Sequence, residues 1–440
     1  MKAALDLWVL LRRRSSSDAD PHRLTGALAI LAFAVTTAVV LVVLGGFLAF
    51  TARAEAPGAG DDAGFYVMLA GTASVLLLVP LATLGGAAAR LAVARRDARL
   101  AALRLAGATT AQVSTITILD ATVQALTGAL IGAAGMFALV PLVLPIEFQG
   151  RAFSYGELLP PWWAYIATIA AVTVIALVSA GASLRKVAIT PLGVAARTRP
   201  NPLHWSRVVP ILGFAVVFAV LLETGQAGIM VLVLLVVGGF AMMNAIGPLI
   251  MGLVGKLSAR RARTAAQLVA ARRIIDAPKT AWRSVGGVAL ATFIAGMTAA
   301  IALFSNAGTS NPEEAQLFGD MATGGFLTLA IAGVVAAVST GVMQAGGVID
   351  RRSEYRALSL AGTDLRVLDE ARLRETAVPL LAAVALATGG ALVFLLPALG
   401  VAVLTTPAVA IQFVLSVLGA CALVLAGSLA SRRVVRMVLA

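Results

Sequence analysis

Two carboxylates stand inside long apolar runs of this sequence, where an ionised side chain is costly. Asp120 lies in the run 111–141 and Glu375 lies in the run 374–397, and the two positions are 255 residues apart. An ionisable residue inside a membrane helix is a candidate functional group, because its desolvation has to be offset by a partner. Each lies one to two turns from a basic segment, so we expect this intramembrane acidic pair to be structural, bound by Arg372, Arg374 or the basic loops.

Few residues are available for other kinds of chemistry. One cysteine, Cys421, and two histidines, His22 and His204, cannot build a disulfide framework or a Cys/His metal site. The single Gly-Lys pair, Gly255-Lys256, is followed by Leu257, so the phosphate-binding pattern Gly-x-x-x-x-Gly-Lys-Ser/Thr is absent from the sequence. No pairing of a nucleophile with a base is evident. We therefore predict that this chain is not an enzyme and holds no metal or cofactor of its own.

The composition predicts an all-α integral membrane protein. Of the 440 residues, 60% are hydrophobic and only 12% are charged, and the mean hydropathy is +0.95. A soluble domain carries about 25% charged residues, and a spanning helix needs about 20 apolar ones. Ten transmembrane helices are predicted near 24–51, 65–91, 111–141, 159–183, 208–224, 227–255, 284–305, 321–348, 374–397 and 405–430.

The charges predict how these spans are oriented. With the N-terminus inside, the outer loops fall near 52–64, 142–158, 223–227, 306–320 and 398–404, and only Arg53 and Arg151 of the 34 Lys and Arg residues lie there. Carboxylates are common in the same loops: Glu55, Asp61, Asp62, Glu147, Glu157, Glu223, Glu313, Glu314 and Asp320. The positive-inside rule therefore places both termini in the cytoplasm. The net charge of +13 is then explained by the basic residues of the inner loops, and it does not indicate a nucleic-acid partner.

A short phrase occurs twice on the predicted inner side. Ala102–Gly107 reads ALRLAG and Ala357–Gly362 reads ALSLAG, at an offset of 255 that also relates Asp120 to Glu375. The same offset pairs small residues that would allow close helix packing, namely Gly128 with Ala383 and Gly132 with Ala387. An even number of spans separates the copies. Spans 2–4 and 8–10 are therefore predicted to form a parallel internal repeat.

Each copy has the pattern of a short helix that stops before the next span begins. Gly107 and Gly362 permit a helix end, and Thr109 or Thr110 in the first copy, with Thr363 and Asp364 in the second, could cap the following helix. A short helix along the inner membrane surface could bind a soluble partner. A basic loop held by anionic lipid is an equally supported alternative.

The two segments resemble the loops of FtsX-like permease domains. Arg95-Arg96, then Leu103 to Ala108, with Gln112 beyond them, carry the resemblance in the first half. Thr190-Pro191-Leu192-Gly193 and the stretch 268–278 add to it. The resemblance implies a MacB/FtsX-type ABC permease with two such domains. Members of this family often carry a large extracellular domain, but the loops 52–64 and 306–320 are too short for one. The resemblance also implies that two coupling helices contact an ATPase, through Arg96, Arg99, Leu103, Leu105, Ala106, Gly107, Arg351, Glu354, Tyr355, Leu358, Leu360, Ala361 and Gly362.

The expected domain organisation follows from the spans and the resemblance. The segments are a cytoplasmic amphipathic segment (1–23), the first span with a short outer loop (24–63), a first FtsX-like domain (64–199), spans 5–6 with a basic linker (200–283), span 7 with a short outer loop (284–319) and a second FtsX-like domain (320–440). The amides of Gln124, Asn244 and Gln344 are expected to join helices by hydrogen bonds.

The function implied by the resemblance is that of a permease subunit in a bacterial cell membrane. A separate cytoplasmic ABC ATPase dimer, which would bind ATP and Mg, would drive export or extraction of an amphipathic substrate such as a peptide antibiotic or a lipid. Two alternatives stay open. One is a regulator that transmits force to an outer partner without transport, through Asp61-Asp62 and Glu313-Glu314. The other is an ion-driven secondary efflux transporter.

Overall fold

The computed structural model describes residues 21–57, 60, 62–94, 109–189, 213, 220, 229–306, 311–350, 360–399 and 406–439. These residues form a helical bundle with one small β-hairpin. The elements are α1 (Pro21–Glu55), α2 (Ala63–Ala94), α3 (Thr110–Val143), β1 (Glu147–Phe148), β2 (Arg151–Ala152), α4 (Tyr155–Leu158), α5 (Trp162–Ile189), α6 (Ile229–Arg260), α7 (Ala265–Asp276), α8 (Pro278–Asn306), α9 (Pro312–Asp350), α10 (Leu365–Leu399) and α11 (Pro407–Leu439).

Eight helical stretches of the described residues are long and apolar enough to cross a membrane. They fall on α1, α2, α3, α4 with α5, α6, α9, α10 and α11, and each coincides with a span predicted from the sequence. The chain is therefore a multi-pass membrane protein of the all-α class. The predicted fifth span, 208–224, lies almost wholly outside the described residues.

The predicted seventh span forms a continuous helix, α8, but is not among the eight. This helix has 29 residues and lies at the centre of the bundle, packed on α6, α9, α10 and α11. From Gly287 to Gly296 every residue is buried, and small side chains such as Ala289, Ala291 and Ala295 dominate. The small residues of this helix allow the helices that enclose it to approach closely.

The two halves of the bundle use similar helix neighbours. In the first half, α1 packs against both α2 and α3, and in the second half α8 packs against both α9 and α10. The halves meet where α2 lies along α9. The helices that follow the two repeated phrases begin at Thr110 and at Leu365, 255 residues apart.

Small residues at repeat-related positions lie at helix crossings. A Cβ on Gly128 would come within 2.6 Å of the Phe33 side chain, and one on Gly132 would collide with the backbone oxygen of Ala34. The corresponding residues of α10, Ala383 and Ala387, are both fully buried. The close approach of α1 to α3 therefore depends on these two glycines.

The connections at one end of the bundle differ from the sequence prediction. The segment after α3 is not a plain loop, because Glu147 pairs with Ala152 and Phe148 with Arg151 in a tight antiparallel hairpin. Gln149 and Gly150 form its two-residue turn with φ values of 58° and 71°, the left-handed conformation that such turns require. We call residues 144–161, with this hairpin and α4, the cap segment, and we call this end of the bundle the hairpin end.

Several residues assigned to outer loops lie inside helices instead, among them Arg53 and Asp320. Arg53 belongs to the last turn of α1, and Asp320 lies in the third turn of α9, which begins at Pro312. Both helices extend beyond the length that a membrane requires, so sequence hydropathy alone ends them too early. The opposite end of the bundle carries α7, and we call it the α7 end.

Candidate functional site

The described residues include only the end of the second repeated segment, Leu360 to Gly362, next to the start of α10. Arg96, Arg99, Leu103, Leu105, Ala106 and Gly107 lie outside the described residues, as do Arg351, Glu354, Tyr355 and Leu358. Leu360 is 87% exposed. Gly362 has a φ of 87°, a conformation that glycine adopts readily and that ends a helix. The predicted stop after the second copy is therefore present.

Both segments are followed by a capped helix. Thr109 accepts a hydrogen bond from the backbone N–H of Gln112, while the Gln112 side chain accepts one from the backbone of Thr109, forming a capping box at the start of α3. At the start of α10, the Asp364 carboxylate accepts from the backbone N–H of Arg366 at 3.0 Å. The two capping residues stand at the same offset of 255 as the phrases that precede them.

The acidic residue of α10 pairs with a basic residue of the linker between the two halves. The Glu375 carboxylate lies 3.1 Å from the guanidinium of Arg273, whose side chain is only 8% exposed. Arg273 lies on α7, a 12-residue amphipathic helix that also packs against α6 and α10. The prediction had paired Glu375 with Arg372, Arg374 or the basic loops. Arg273 belongs to the basic linker between the halves, and Arg374 forms an ion pair with Glu370 at 2.8 Å. Asp120 lies half-buried on α3.

Polar side chains join helices around this ion pair. The indole N–H of Trp282 donates to Asn244 at 2.9 Å, which ties the start of α8 to α6. The Gln344 amide donates to the Thr376 hydroxyl at 2.8 Å, which ties α9 to α10. These bonds match the predicted role of Asn244 and Gln344. Among the residues that the structure describes, the buried side-chain oxygen of Gln124 finds no hydrogen-bond partner.

A buried arginine organises the hairpin end. The side chain of Arg53 is 2% exposed and donates to the backbone oxygens of Phe148 and Ala152 at 3.0 and 3.1 Å and to the Glu157 carboxylate at 3.1 Å. Its guanidinium also lies 4.4 Å from the centroid of the Phe153 ring. One side chain of α1 thus contacts both strands, α4 and the segment that joins them.

A buried carboxylate holds the same cap segment from the opposite side. Asp320, 9% exposed on α9, accepts hydrogen bonds from the Tyr66 hydroxyl and from the backbone N–H of Gln149, both at 2.7 Å. These bonds link α9 of the second half to α2 and to the hairpin turn of the first half. The Phe148 ring packs against Gly324 on the same face of α9.

Beneath the cap segment lies an apolar cavity of about 640 Å³ between the two halves. Its walls come from α1, α2, α8 and α9, and its roof comes from the cap segment through Phe148, Phe153 and Leu158. Such a volume lies within the range of about 300–1,000 Å³ that small-molecule sites occupy. The lining is mostly aromatic and aliphatic, and its polar groups are Tyr66, Asp320 and the hydroxyls of Thr72, Ser74, Thr298 and Thr328. The cavity therefore suits an apolar or amphipathic group.

The sequence contained signals for these missed residues. Arg53 is one of only two basic residues on the side where basic residues are rare, which indicates a specific partner rather than a topological role. Gln149-Gly150 falls between short apolar stretches, which is a hairpin signal. Asp320 has no such signal, because its partners are distant in sequence.

In the described part of the chain, no group of three His, Cys, Asp or Glu side chains could hold a metal ion.

Comparison with protein families identifies the region around the first repeated phrase. Residues 71–192 match the family model described as FtsX-like permease C-terminal. The match runs from α2 through α3, the cap segment and α5. Comparison with curated proteins and with solved structures gave no match. Residues 71–192 thus form an FtsX-like permease domain, set within a multi-pass, α-helical membrane protein.

Proposed function

We propose that this chain is the permease subunit of an ABC transporter. A separate cytoplasmic ABC ATPase, which binds ATP and Mg, supplies the energy, and this chain has no catalytic role. Motion of the ATPase is passed through the bundle and drives extraction or export of an amphipathic substrate from the bacterial cell membrane. The ten-span topology, the second FtsX-like domain and the cytoplasmic termini belong to the same proposal.

The observation that carries the proposal is the shared helix-start chemistry after the two repeated phrases. Thr109 and Asp364 occupy equivalent positions and cap α3 and α10, respectively. A cap fixes where a helix begins, so each segment has a defined junction with the helix that it would push. An ATPase dimer presents two equivalent surfaces, and two such segments in one chain supply two contacts.

Two further features support transmission from the α7 end to the hairpin end. The Arg273–Glu375 ion pair joins α7 to α10 close to the second segment, so these helices would move together. The long helices α3 and α10 then run from the segments toward the cavity end. The apolar cavity between the halves provides space for the hydrophobic part of an amphipath.

Capture of the partner ATPase tests the proposal. The intact chain is expressed in its native membrane, solubilised in a mild detergent and isolated, and bound proteins are identified by mass spectrometry. We expect an ATPase with Walker motifs in the wild-type sample. The variant Leu103→Asp/Leu358→Asp places a charge in both segments and is expected to lose most of the captured ATPase.

A matched control separates loss of docking from general damage. Leu257→Asp introduces one such charge at an exposed position on α6, at the α7 end but outside both segments, and is compared with each single variant, Leu103→Asp and Leu358→Asp. It should retain the ATPase. Undiminished capture by the Leu103→Asp/Leu358→Asp variant would show that the segments are not the docking points. Full transport by the purified chain alone would favour an ion-driven transporter instead.

A further inference from the structure

We propose that the cap segment is a lid over the apolar cavity, hinged on α1 by Arg53 and latched to α9 by Asp320. The proposal rests on the proposed function only in treating the cavity as the place where the substrate is held. The way in would lie between α2 and α9, on the side of the latch.

The two attachments of the cap segment differ in strength. Arg53 makes three charge-assisted hydrogen bonds and one ring contact, and all of its partners lie in the cap segment. It therefore binds both strands and α4 to the end of α1 as one unit. Charge-assisted hydrogen bonds of a buried guanidinium are among the stronger polar contacts in proteins. The hydrogen bonds of Arg53 can therefore serve as the hinge, because they would remain formed while the rest of the cap segment moves.

Asp320 makes fewer hydrogen bonds to the cap segment than Arg53 does. It binds the hairpin turn through a single backbone N–H, that of Gln149, which the two-residue turn leaves outside the strand ladder. The same carboxylate oxygen also accepts a hydrogen bond from the Tyr66 hydroxyl. One group therefore binds the hairpin turn and also links α9 to α2. Loss of this one carboxylate would remove both the hydrogen bond that holds the lid and the hydrogen bond between α2 and α9 beneath it.

The location of the latch connects it to the cavity. Tyr66 and Asp320 line the cavity directly, and Phe148, at the base of the turn, forms part of its roof. When the turn leaves Asp320, the Phe148 ring leaves its place against Gly324. The cavity would then open at the junction of the two halves, where an amphipath could enter from the side.

Cysteine labelling tests the lid without nucleotide or ATPase. Cys421 is replaced by alanine, and Thr298→Cys places a reporter on α8 at a buried position that lines the cavity. The purified chain in lipid nanodiscs is treated with a charged, membrane-impermeant methanethiosulfonate reagent. Asp320→Ala is expected to accelerate modification at least tenfold, and Tyr66→Phe, which removes one of the two hydrogen bonds, is expected to accelerate it less.

Two controls make each outcome decisive. Glu147→Gln removes an exposed carboxylate from the same hairpin and should leave the labelling rate unchanged. A second reporter, Ser339→Cys, is buried in α9 toward the α7 end, and its rate should not rise with Asp320→Ala. Equal acceleration of both reporters would mean general loosening and would overturn the lid.

An unchanged Thr298→Cys rate in Asp320→Ala would overturn the proposal equally. Should Asp320→Ala fail to fold, Asp320→Asn decides, because it keeps the size of the side chain and removes the charge that strengthens the hydrogen bond from Gln149; no acceleration there refutes the latch. Failure of ATPase capture bears on the proposed function alone, since the labelling assay contains no ATPase.

Discussion

Replacement of Arg53 by methionine should detach the cap segment while leaving the bundle intact. Methionine keeps much of the apolar stem but removes the three hydrogen bonds to Phe148, Ala152 and Glu157. Hydrogen bonds to a charged group contribute about 1.5–3 kcal/mol each, and solvent screens part of the loss at Glu157, whose side chain is 28% exposed. We take about 3 kcal/mol as a conservative loss in the local opening free energy of the cap segment.

Amide hydrogen exchange measures this opening directly. Each 1.4 kcal/mol corresponds to about a tenfold change in an equilibrium constant, so amides of residues 144–161 should exchange about 100-fold faster in Arg53→Met. Helices remote from the hairpin end should keep wild-type exchange, since local opening need not involve the whole fold. The measurement is made by mass spectrometry on the purified chain in nanodiscs.

Arg151 provides a matched control, because it contacts the same carboxylate. Its side chain is 58% exposed and lies 3.8 Å from Glu157. An exposed ion pair contributes about 0–1 kcal/mol, so Arg151→Met should accelerate exchange less than about fivefold. If Arg53→Met and Arg151→Met behave alike, Arg53 is not the attachment that we infer from its burial.

Two further predictions concern packing and the ion pair of the α7 end. Gly132→Ala should lower the free energy of unfolding by about 1–3 kcal/mol, because its Cβ collides with α1. Gly135→Ala on the same helix should be neutral or stabilising, because nothing lies within 4 Å of the added atom. Equal shifts of the two thermal midpoints in detergent would contradict this prediction. Glu375→Met should lower the thermal midpoint by leaving the Arg273 charge buried, and Arg273→Met/Glu375→Met should recover part of the loss. A double variant as unstable as the sum of the two single variants would show that the residues do not act as a pair.

Local features of this chain were predictable because they depend on neighbours in sequence. A threonine cap after Gly107 was expected, and Thr109 forms it with Gln112, three residues away. Gly128 and Gly132 were expected at a helix crossing, and the crossing is with α1. Spacing and residue type are sufficient for both predictions.

Features that join distant segments were not predictable in the same way. Glu375 was expected to bind Arg372, Arg374 or the basic loops, and its partner Arg273 lies 102 residues away on α7. Sequence spacing alone could not choose among these candidates. Asp320 was assigned to an outer loop because α9 extends beyond its apolar core. Hydropathy identifies the part of a helix that lies in lipid. It does not predict the helical turns that extend beyond the lipid and carry polar contacts.

The central claim is that the α7 end and the hairpin end are mechanically coupled. The most direct test is the ATP hydrolysis rate of the complete complex in nanodiscs, with wild-type chain or with Arg53→Met, at equal ATPase content. We predict that loosening the cap segment changes the rate at least threefold, although the substitution lies at the opposite end from the ATPase. An unchanged rate in an intact, equally docked complex would contradict transmission through the bundle.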